Sequence, residues 1–551
     1  MGGDSRGRLH AFRSLAGNRP LVRILAGYAL FVLVEYSAWI AMLVYAFGRG
    51  GATVAGLVAV AQLVPAAVLA PVTAAIADRR SPLVLLAGGY LAQAAAMAAA
   101  GAAIFAGVPV AAYASAVLAC VALTTTRPAQ AALIPSVAVI ADELTAANVV
   151  VSWLESAGLV MSGLLAGVLI SLTGVGSVFV ACAVLGLAAA LLAARVRVAA
   201  LASAREDPRA VLADVAQGLL LAVRRPRLRV MLALLTAAAV VAGALDLLFV
   251  ILAIGVLGRS QAWVGYLNSS YGAGAVLAAT VSAVLIGRRL GGPILGAALA
   301  LSAILAILGF GVGLSGTVAL LAVAGAASTL LDVALRTLLQ RSVPPHLMGR
   351  VFGVLEGLTM AGYALRALLV PLLVHLGGNR LALIGAAVVL PLAAAIGGRA
   401  LFALDAGVPV PVVEIALLRS LPLFAELPAP AIEGLAAALT PVHLTAGTVL
   451  IQQGDPGDAY YAIASGELHA IQEGQFLRRC GRGEGVGEIA LLRAIPRTAT
   501  VTAHTAATVY RLDPELFLTE VLGHAPTRRL AEHIAETRHS AGAAPGAGDA
   551  D

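Results

Sequence analysis

The stretch Gly485-Val-Gly487-Glu488-Ile489-Ala490-Leu491-Leu-Arg-Ala-Ile-Pro496-Arg497-Thr498-Ala499-Thr500-Val501 is the most specific signal in the chain. A glycine-rich turn running into a short apolar helix presents backbone N–H groups that suit a phosphate. Arg497 adds a charge-assisted, bidentate phosphate contact. Glu488 is a poor neighbour for a phosphate but a good acceptor for a ribose hydroxyl. The three features together suit a small ligand that carries both a sugar hydroxyl and an anionic phosphate.

Working outward, the surrounding sequence alternates in short runs with turns between them. Thr448-Val-Leu-Ile, Tyr460-Tyr-Ala-Ile and Thr500-Val-Thr-Ala read as strands, and Gly454-Asp-Pro-Gly457 and Ser465-Gly466 as turns. Helical segments are expected near 414–420, 428–439 and 514–538, the last started by Asp513-Pro514. Residues 414–538 thus read as a soluble, mostly β domain, and 539–551 as a disordered tail. With Gly454-Asp-Pro-Gly-Asp458-Ala-Tyr-Tyr461-Ala-Ile463 and Gly466-Glu, the opening stretch resembles the phosphate-binding cassette of cyclic-nucleotide-binding domains. These occur in bacterial catabolite activators, kinase regulatory subunits and nucleotide-gated channels. The resemblance implies a β-roll with flanking helices, the last of which closes over the base. It implies that Glu488 holds the ribose 2′-hydroxyl, Arg497 the cyclic phosphate, and the backbone of Ala490 and Leu491 further contacts. Gly487, Ile489, Thr498 and Ala499 complete the implied binding set. A Thr at 498 can contact a guanine, yet cAMP binders also carry Ser or Thr there, so cAMP is favoured and cGMP stays open.

Upstream the composition changes. The 551-residue chain is 60% hydrophobic and only 12% charged, with a mean hydropathy of +0.95. That charge content is roughly half of what a soluble globular chain carries. Long apolar runs recur, so lipid is the solvent for most of the chain. The net charge of +7 is carried by arginine alone, because there is no lysine. The arginines punctuate apolar runs, the pattern of membrane topology and not of a nucleic-acid-binding face. Cys120, Cys182 and Cys480 form no CxxC, so no disulfide framework and no metal site is read. A first apolar run of about 25 residues is too long for a signal-peptide core. No Ser/His/Asp set and no Walker loop is found, which argues against an enzyme.

Twelve spans are expected, at roughly 21–47, 52–77, 82–105, 109–134, 147–171, 174–194, 230–257, 262–286, 293–313, 316–340, 351–376 and 379–404. They divide into a cytoplasmic tail (1–20), a first six-helix half (21–194), a basic central loop (195–229), a second half (230–404) and a linker (405–413). With the N-terminus inside, the outer loops hold only Arg49, Arg259 and Arg380, so both termini are expected in the cytoplasm. A plasma membrane location is expected. The halves repeat at an offset of roughly 210 residues. Glu35, Gly48-Arg49 and Asp78-Arg79-Arg80 recur as Asp246, Gly258-Arg259 and Gly287-Arg288-Arg289. Two parallel repeats are a transporter signature, with the substrate site between them.

This α-helical polytopic pattern, with Ala74-Ala-Ile-Ala-Asp78-Arg79-Arg80-Ser-Pro between spans two and three, resembles the major facilitator superfamily over about 20–404. The Asp78-Arg79 core of that family's gating motif is kept, while Ala74 and Ser81 stand where the family has glycine. Arg127-Pro-Ala-Gln, Ile134-Pro135 and Asp142-Glu143-Leu144-Thr-Ala-Ala-Asn148 resemble its bacterial exporter branch, which includes siderophore and drug exporters. Gly158 and Ser162-Gly163-Leu-Leu-Ala-Gly167 form a partial proton-antiporter motif without its proline; small residues four apart also serve close helix packing.

Charged residues inside spans face a cavity or a partner. Glu35 lies roughly 21 Å into span one, Asp246 at the equivalent place in span seven, Arg127 in span four, and Asp332 and Arg336 in span ten. The resemblance implies that these four spans line the central cavity. Asp332 and Arg336, four apart, can pair on one helix face. Glu35 and Asp246 are expected to take up protons or a cationic group, with Arg127 and Arg336 as countercharges; a fixed salt bridge is the alternative. A carboxylate out of water loses hydration, which suits it to proton exchange. Glu155, Glu356 and Arg366 are further candidates. The function expected is a secondary transporter, a proton-coupled exporter of a small molecule, regulated by cyclic nucleotide. A membrane sensor without transport and a lipid flippase are the alternatives. The sequence is silent on substrate and oligomeric state.

Overall fold

The structure is a computed structural model that describes residues 15–77, 81–137, 141–196, 226–281, 288–343, 348–407, 412–425, 427, 429–523, 527, 530, 531, 533 and 536. Asp78, Arg79, most of the central loop (197–225), part of the linker (408–411) and the tail fall outside the described residues, as does the side chain of Glu356.

The N-terminal part is helical. Its elements are α1 (Arg19–Ala77), α2 (Pro82–Phe105), α3 (Pro109–Val137), α4 (Ala141–Thr173), α5 (Val175–Ala194), α6 (Pro226–Val250), α7 (Ala262–Val281), α8 (Gly291–Gly309), α9 (Leu314–Ser342) and α10 (Met348–Gly407). Among the described residues, nine helices are long and apolar enough to cross a membrane. Two are broken inside: α1 at Gly50–Gly51 and α10 at Gly377–Gly378. In each pair the second glycine adopts a positive φ that a side chain disfavours, so the chain turns and a new helical segment begins. α6 ends in a π-helical turn, Ile251–Val256, before Gly258 reverses the chain.

Small residues set how closely the helices approach. Gly163 and Gly167 of α4 lie on the backbone of Gly265 and Ala262 in α7, where an added Cβ would have no room. The Ser269 hydroxyl donates to Val160 O at 2.7 Å across the same contact. Gly274 of α7 and Gly325 of α9 likewise face the backbone of Ala322 and Tyr271. The glycines of the antiporter-like motif therefore do packing work in this structure.

Asp405, read from the sequence as the start of the linker, lies inside α10 and is buried. Its carboxylate accepts from the N–H groups of Leu290 and Gly291 at 2.9 and 3.0 Å. It thereby caps the start of α8, which explains why the helix continues past 404. Asn18 likewise caps α1 through Leu21 N, and its amide donates to Val137 O and Glu143 Oε2.

The C-terminal domain starts with α11 (Val412–Ser420) and α12 (Ala429–Ala438). It continues with β1 (Thr440–Leu444), β2 (Val449–Ile451), β3 (Tyr460–Ser465), β4 (Leu468–Gln472), β5 (Gln475–Cys480), β6 (Gly485–Val486), α13 (Glu488–Arg493), β7 (Thr500–Ala503), β8 (Ala507–Leu512) and α14 (Pro514–Gly523). Two four-stranded antiparallel sheets form, in the orders β1-β8-β3-β6 and β2-β7-β4-β5. Strand β3 is buried on both faces. Tyr461 and Ile463 pack between the sheets with Leu468, Val501 and Val509, whereas Tyr460 and Ala462 face the helices. There Tyr460 stacks on Phe517 of α14 at 4.8 Å, with Phe424 edge-on to both.

Candidate functional site

The cassette closes around Arg497. Gly487 sits at φ +95° immediately before α13, so its carbonyl turns toward the arginine. Arg497 Nη1 donates to Gly487 O at 3.0 Å, and Nη2 donates to Ala459 O at 2.8 Å and to Asp458 Oδ1 at 2.7 Å. A Cβ at Gly487 would lie 2.5 Å from Arg497 Nη1, so only glycine fits. The backbone of Arg497 is paired as well: its N–H donates to Asp455 O and its carbonyl accepts from Gly454 N–H, at 2.8 and 2.9 Å. The Gly454–Gly457 turn thus holds the arginine from below. Glu488, Ala490 and Leu491 are buried on α13, and Gly457 packs on Ala490. Thr498 and Ala499 follow in a bend, half-buried.

The electrostatics are asymmetric. Arg497 is 3% exposed while its carboxylate partner Asp458 is 62% exposed. A buried guanidinium whose counter-ion stands in water fits an anionic ligand, because a phosphate can take the place of the carboxylate.

Two charge clusters in the helical part, among the described residues, join different helices. In the first, Arg127 of α3 donates to Glu35 of α1 at 2.7 Å and lies 3.7 Å from Glu155 of α4. The Tyr28 hydroxyl donates to Glu155, and Phe31 lies beneath the guanidinium at 5.9 Å. One arginine is therefore shared by two carboxylates. In the second, Arg366 of α10 donates to Asp246 of α6 at 2.9 Å, and Trp39 Nε1 of α1 donates to the same oxygen at 3.1 Å. Gly243, one turn before Asp246, leaves the space that the guanidinium fills. A small cavity lined by Trp39, Leu43, Gly56, Gly243, Asp246 and Arg366 lies there.

Arg336, read from the sequence both as a countercharge and as an i,i+4 partner of Asp332, is held by Asp332 through Nε at 2.8 and 2.9 Å, one turn apart on α9. Proximity along the helix explains it, since an i,i+4 pair needs no second element. The residue on Asp246 is Arg366. Glu155 joins Glu35; the only hint in the sequence was that each is an acid inside an apolar run.

Residues 24–365 match the family model described as Major Facilitator Superfamily, and residues 441–522 that of the cyclic nucleotide-binding domain. The C-terminal domain is 38% identical over 104 residues to the cAMP-dependent protein kinase regulatory subunit of Emericella nidulans. That match covers 18% of this chain and 25% of the relative. It is 37% identical over 112 residues to the corresponding subunit of Yarrowia lipolytica, covering 19% and 30%, and 35% identical over 97 residues to an uncharacterized protein of Mycobacterium tuberculosis, covering 18% and 19%. The chain thus spans less than a third of the length of these relatives. Among solved structures, the regulatory domain of Toxoplasma gondii PKA with cAMP is similar at 24% identity and a TM-score of 0.23, covering 25% of this chain and 56% of that one.

Proposed function

Because the chain belongs to the Major Facilitator Superfamily, we propose that it is a secondary active transporter whose cyclic nucleotide-binding domain sets its inward–outward equilibrium. The observation that carries the regulatory half is the buried Arg497, held by Gly487 and Ala459 and matched by the exposed Asp458. An incoming cyclic phosphate displaces Asp458 from the guanidinium, and Glu488 takes the ribose hydroxyl. cAMP is the favoured nucleotide, in keeping with relatives named cAMP-dependent kinase regulatory subunits. The nucleotide acts on transport only through different affinities for the two membrane states.

In this reading the bundle has twelve spans in two six-helix repeats, 21–194 and 230–404. The breaks at Gly50–Gly51 and Gly377–Gly378 support it, since α1 and α10 each then supply two spans. The arginine bias puts both termini in the cytoplasm of a plasma-membrane protein. The transporter in this reading exports a small molecule against protons, and the ion pairs support the proton coupling: Glu35 and Asp246 exchange the proton, and Arg127 and Arg366 neutralise whichever carboxylate is charged. Protonation releases the arginine and frees the helices that the pair ties together.

Reconstitution tests this. In proteoliposomes, cAMP on the side of the soluble domain changes the transport rate of a cognate substrate, and Arg497→Glu removes that response. A substrate scan in which nothing moves, with nucleotide binding intact, would favour the sensor. Unaltered transport of Glu35→Gln and Asp246→Asn proteins across a pH gradient would remove the proton role.

A further inference from the structure

The outer face of the β2-β7-β4-β5 sheet carries a second constellation of ligating side chains, away from the cassette. Glu467 and His469 are two apart at the start of β4, so the pleat points both to the same face. His469 pairs in register with Thr502 of β7, which places His504, two residues on, diagonally opposite on that face. His469 Nε2 meets Glu467 Oε1 at 2.8 Å, and the rings of His469 and His504 stack at 4.1 Å. The backbone holds the two turns together. His504 N–H donates to Glu467 O at 2.9 Å, and Glu467 N–H donates to Thr505 Oγ1 at 2.9 Å.

We propose that Glu467, His469 and His504 form a binding site for a divalent transition metal of the zinc class. Two imidazoles and one carboxylate are a donor set such ions prefer. Their ligand atoms all lie within 4.8 Å of one another. Tetrahedral bonds of about 2.0–2.1 Å bring ligands to about 3.4 Å apart, a closure that side-chain rotation supplies once the ring stack opens. Metal bound at His469 Nε2 replaces the contact to Glu467 Oε1, and the neutral ring then carries its hydrogen on Nδ1. The basic neighbour is Arg479, opposite His469 on β5, with Nε 3.6 Å from Glu467. Its side chain is largely exposed and swings away at little cost. Three protein ligands leave one position for water.

The test uses the full chain in detergent, with any polyhistidine tag removed and metal stripped by chelator. Co2+ is titrated by its visible absorption, and Zn2+ then displaces it. One saturable equivalent is expected near neutral pH, and added chelator releases it. His469→Ala and His504→Ala each weaken it more than about tenfold, while His443→Ala, at an exposed histidine on β1 of the other sheet, leaves it unchanged. Retained cAMP binding shows that the variants fold, and Glu467→Gln gives the same reading with the side chain's size kept. Equal metal binding by wild type and by His504→Ala or Glu467→Gln, or no saturable site in the wild type, overturns the proposal.

Discussion

Arg366 in the helical bundle and Arg497 in the soluble domain are built alike. Each is buried, each fills space left by a glycine, and each donates to a backbone carbonyl and to one carboxylate. They differ in the carboxylate. Asp246 is 32% exposed and also accepts from Trp39 on a third helix, so the pair is part of how α1, α6 and α10 pack. Asp458 is 62% exposed, and its further cationic neighbour is Arg511 at 4.0 Å. A carboxylate standing in water holds its partner weakly and yields to a competing anion, whereas one inside a bundle moves only if helices move. The same side chain thus serves as a ligand socket in one region and as a helix clasp in the other.

The comparison breaks most visibly at the socket. Arg497→Glu sets a carboxylate where the phosphate binds, and cAMP affinity of the full chain falls at least about a hundredfold by calorimetry. Unchanged affinity would remove the nucleotide site from this cassette. The clasp is tested next. Gly243→Ala places a methyl on the Arg366 guanidinium and drives it off Asp246. A loss of about 2–4 kcal/mol in unfolding stability is expected. Gly88→Ala, where an added methyl meets nothing, is neutral or slightly stabilising. A smaller effect, about 1.5 kcal/mol, follows from Trp39→Phe, which keeps the ring but deletes the N–H donated to Asp246. Equal melting temperatures for Trp39→Phe and wild type would mean that α1 takes no part in the clasp.

Socket and clasp were not equally legible. The socket is local: Glu488 and Arg497 lie within one turn, helix and bend, and the glycine at 487 announces its left-handed backbone. The two Gly pairs that break α1 and α10 could be read for the same reason. The clasp joins residues 120 apart. Arg336 and Arg366 both lie in later apolar runs, and the choice between them rests on the gap at Gly243 and on Asp332 already holding Arg336. The i,i+4 pair can be read from spacing, but the gap at Gly243 is not visible without helix rotation. Glu155 joins Arg127 only because α4 turns that face inward. Asp405 resembled a linker residue because its partners, the N–H groups of Leu290 and Gly291, lie more than a hundred positions upstream. His504 meets Glu467 and His469 through strand register, which spacing along the chain does not encode.

Asp332 and Arg336 supply the third ion pair and the smallest effect. Their geometry is as good as that of the clasp, with Arg336 Nε 2.8 and 2.9 Å from the two carboxylate oxygens. Both partners are on α9 and both side chains are exposed, at 50% and 39%. The pair is joined within one turn of a single helix, so Asp332→Asn is expected to cost no more than about 0.5 kcal/mol. A thermal melt of that variant beside Gly243→Ala separates distance from context. A large loss for Asp332→Asn would show that short N–O distances alone set the strength of these pairs. A loss near zero assigns the strength of the Arg366 clasp to burial and to its tie between helices.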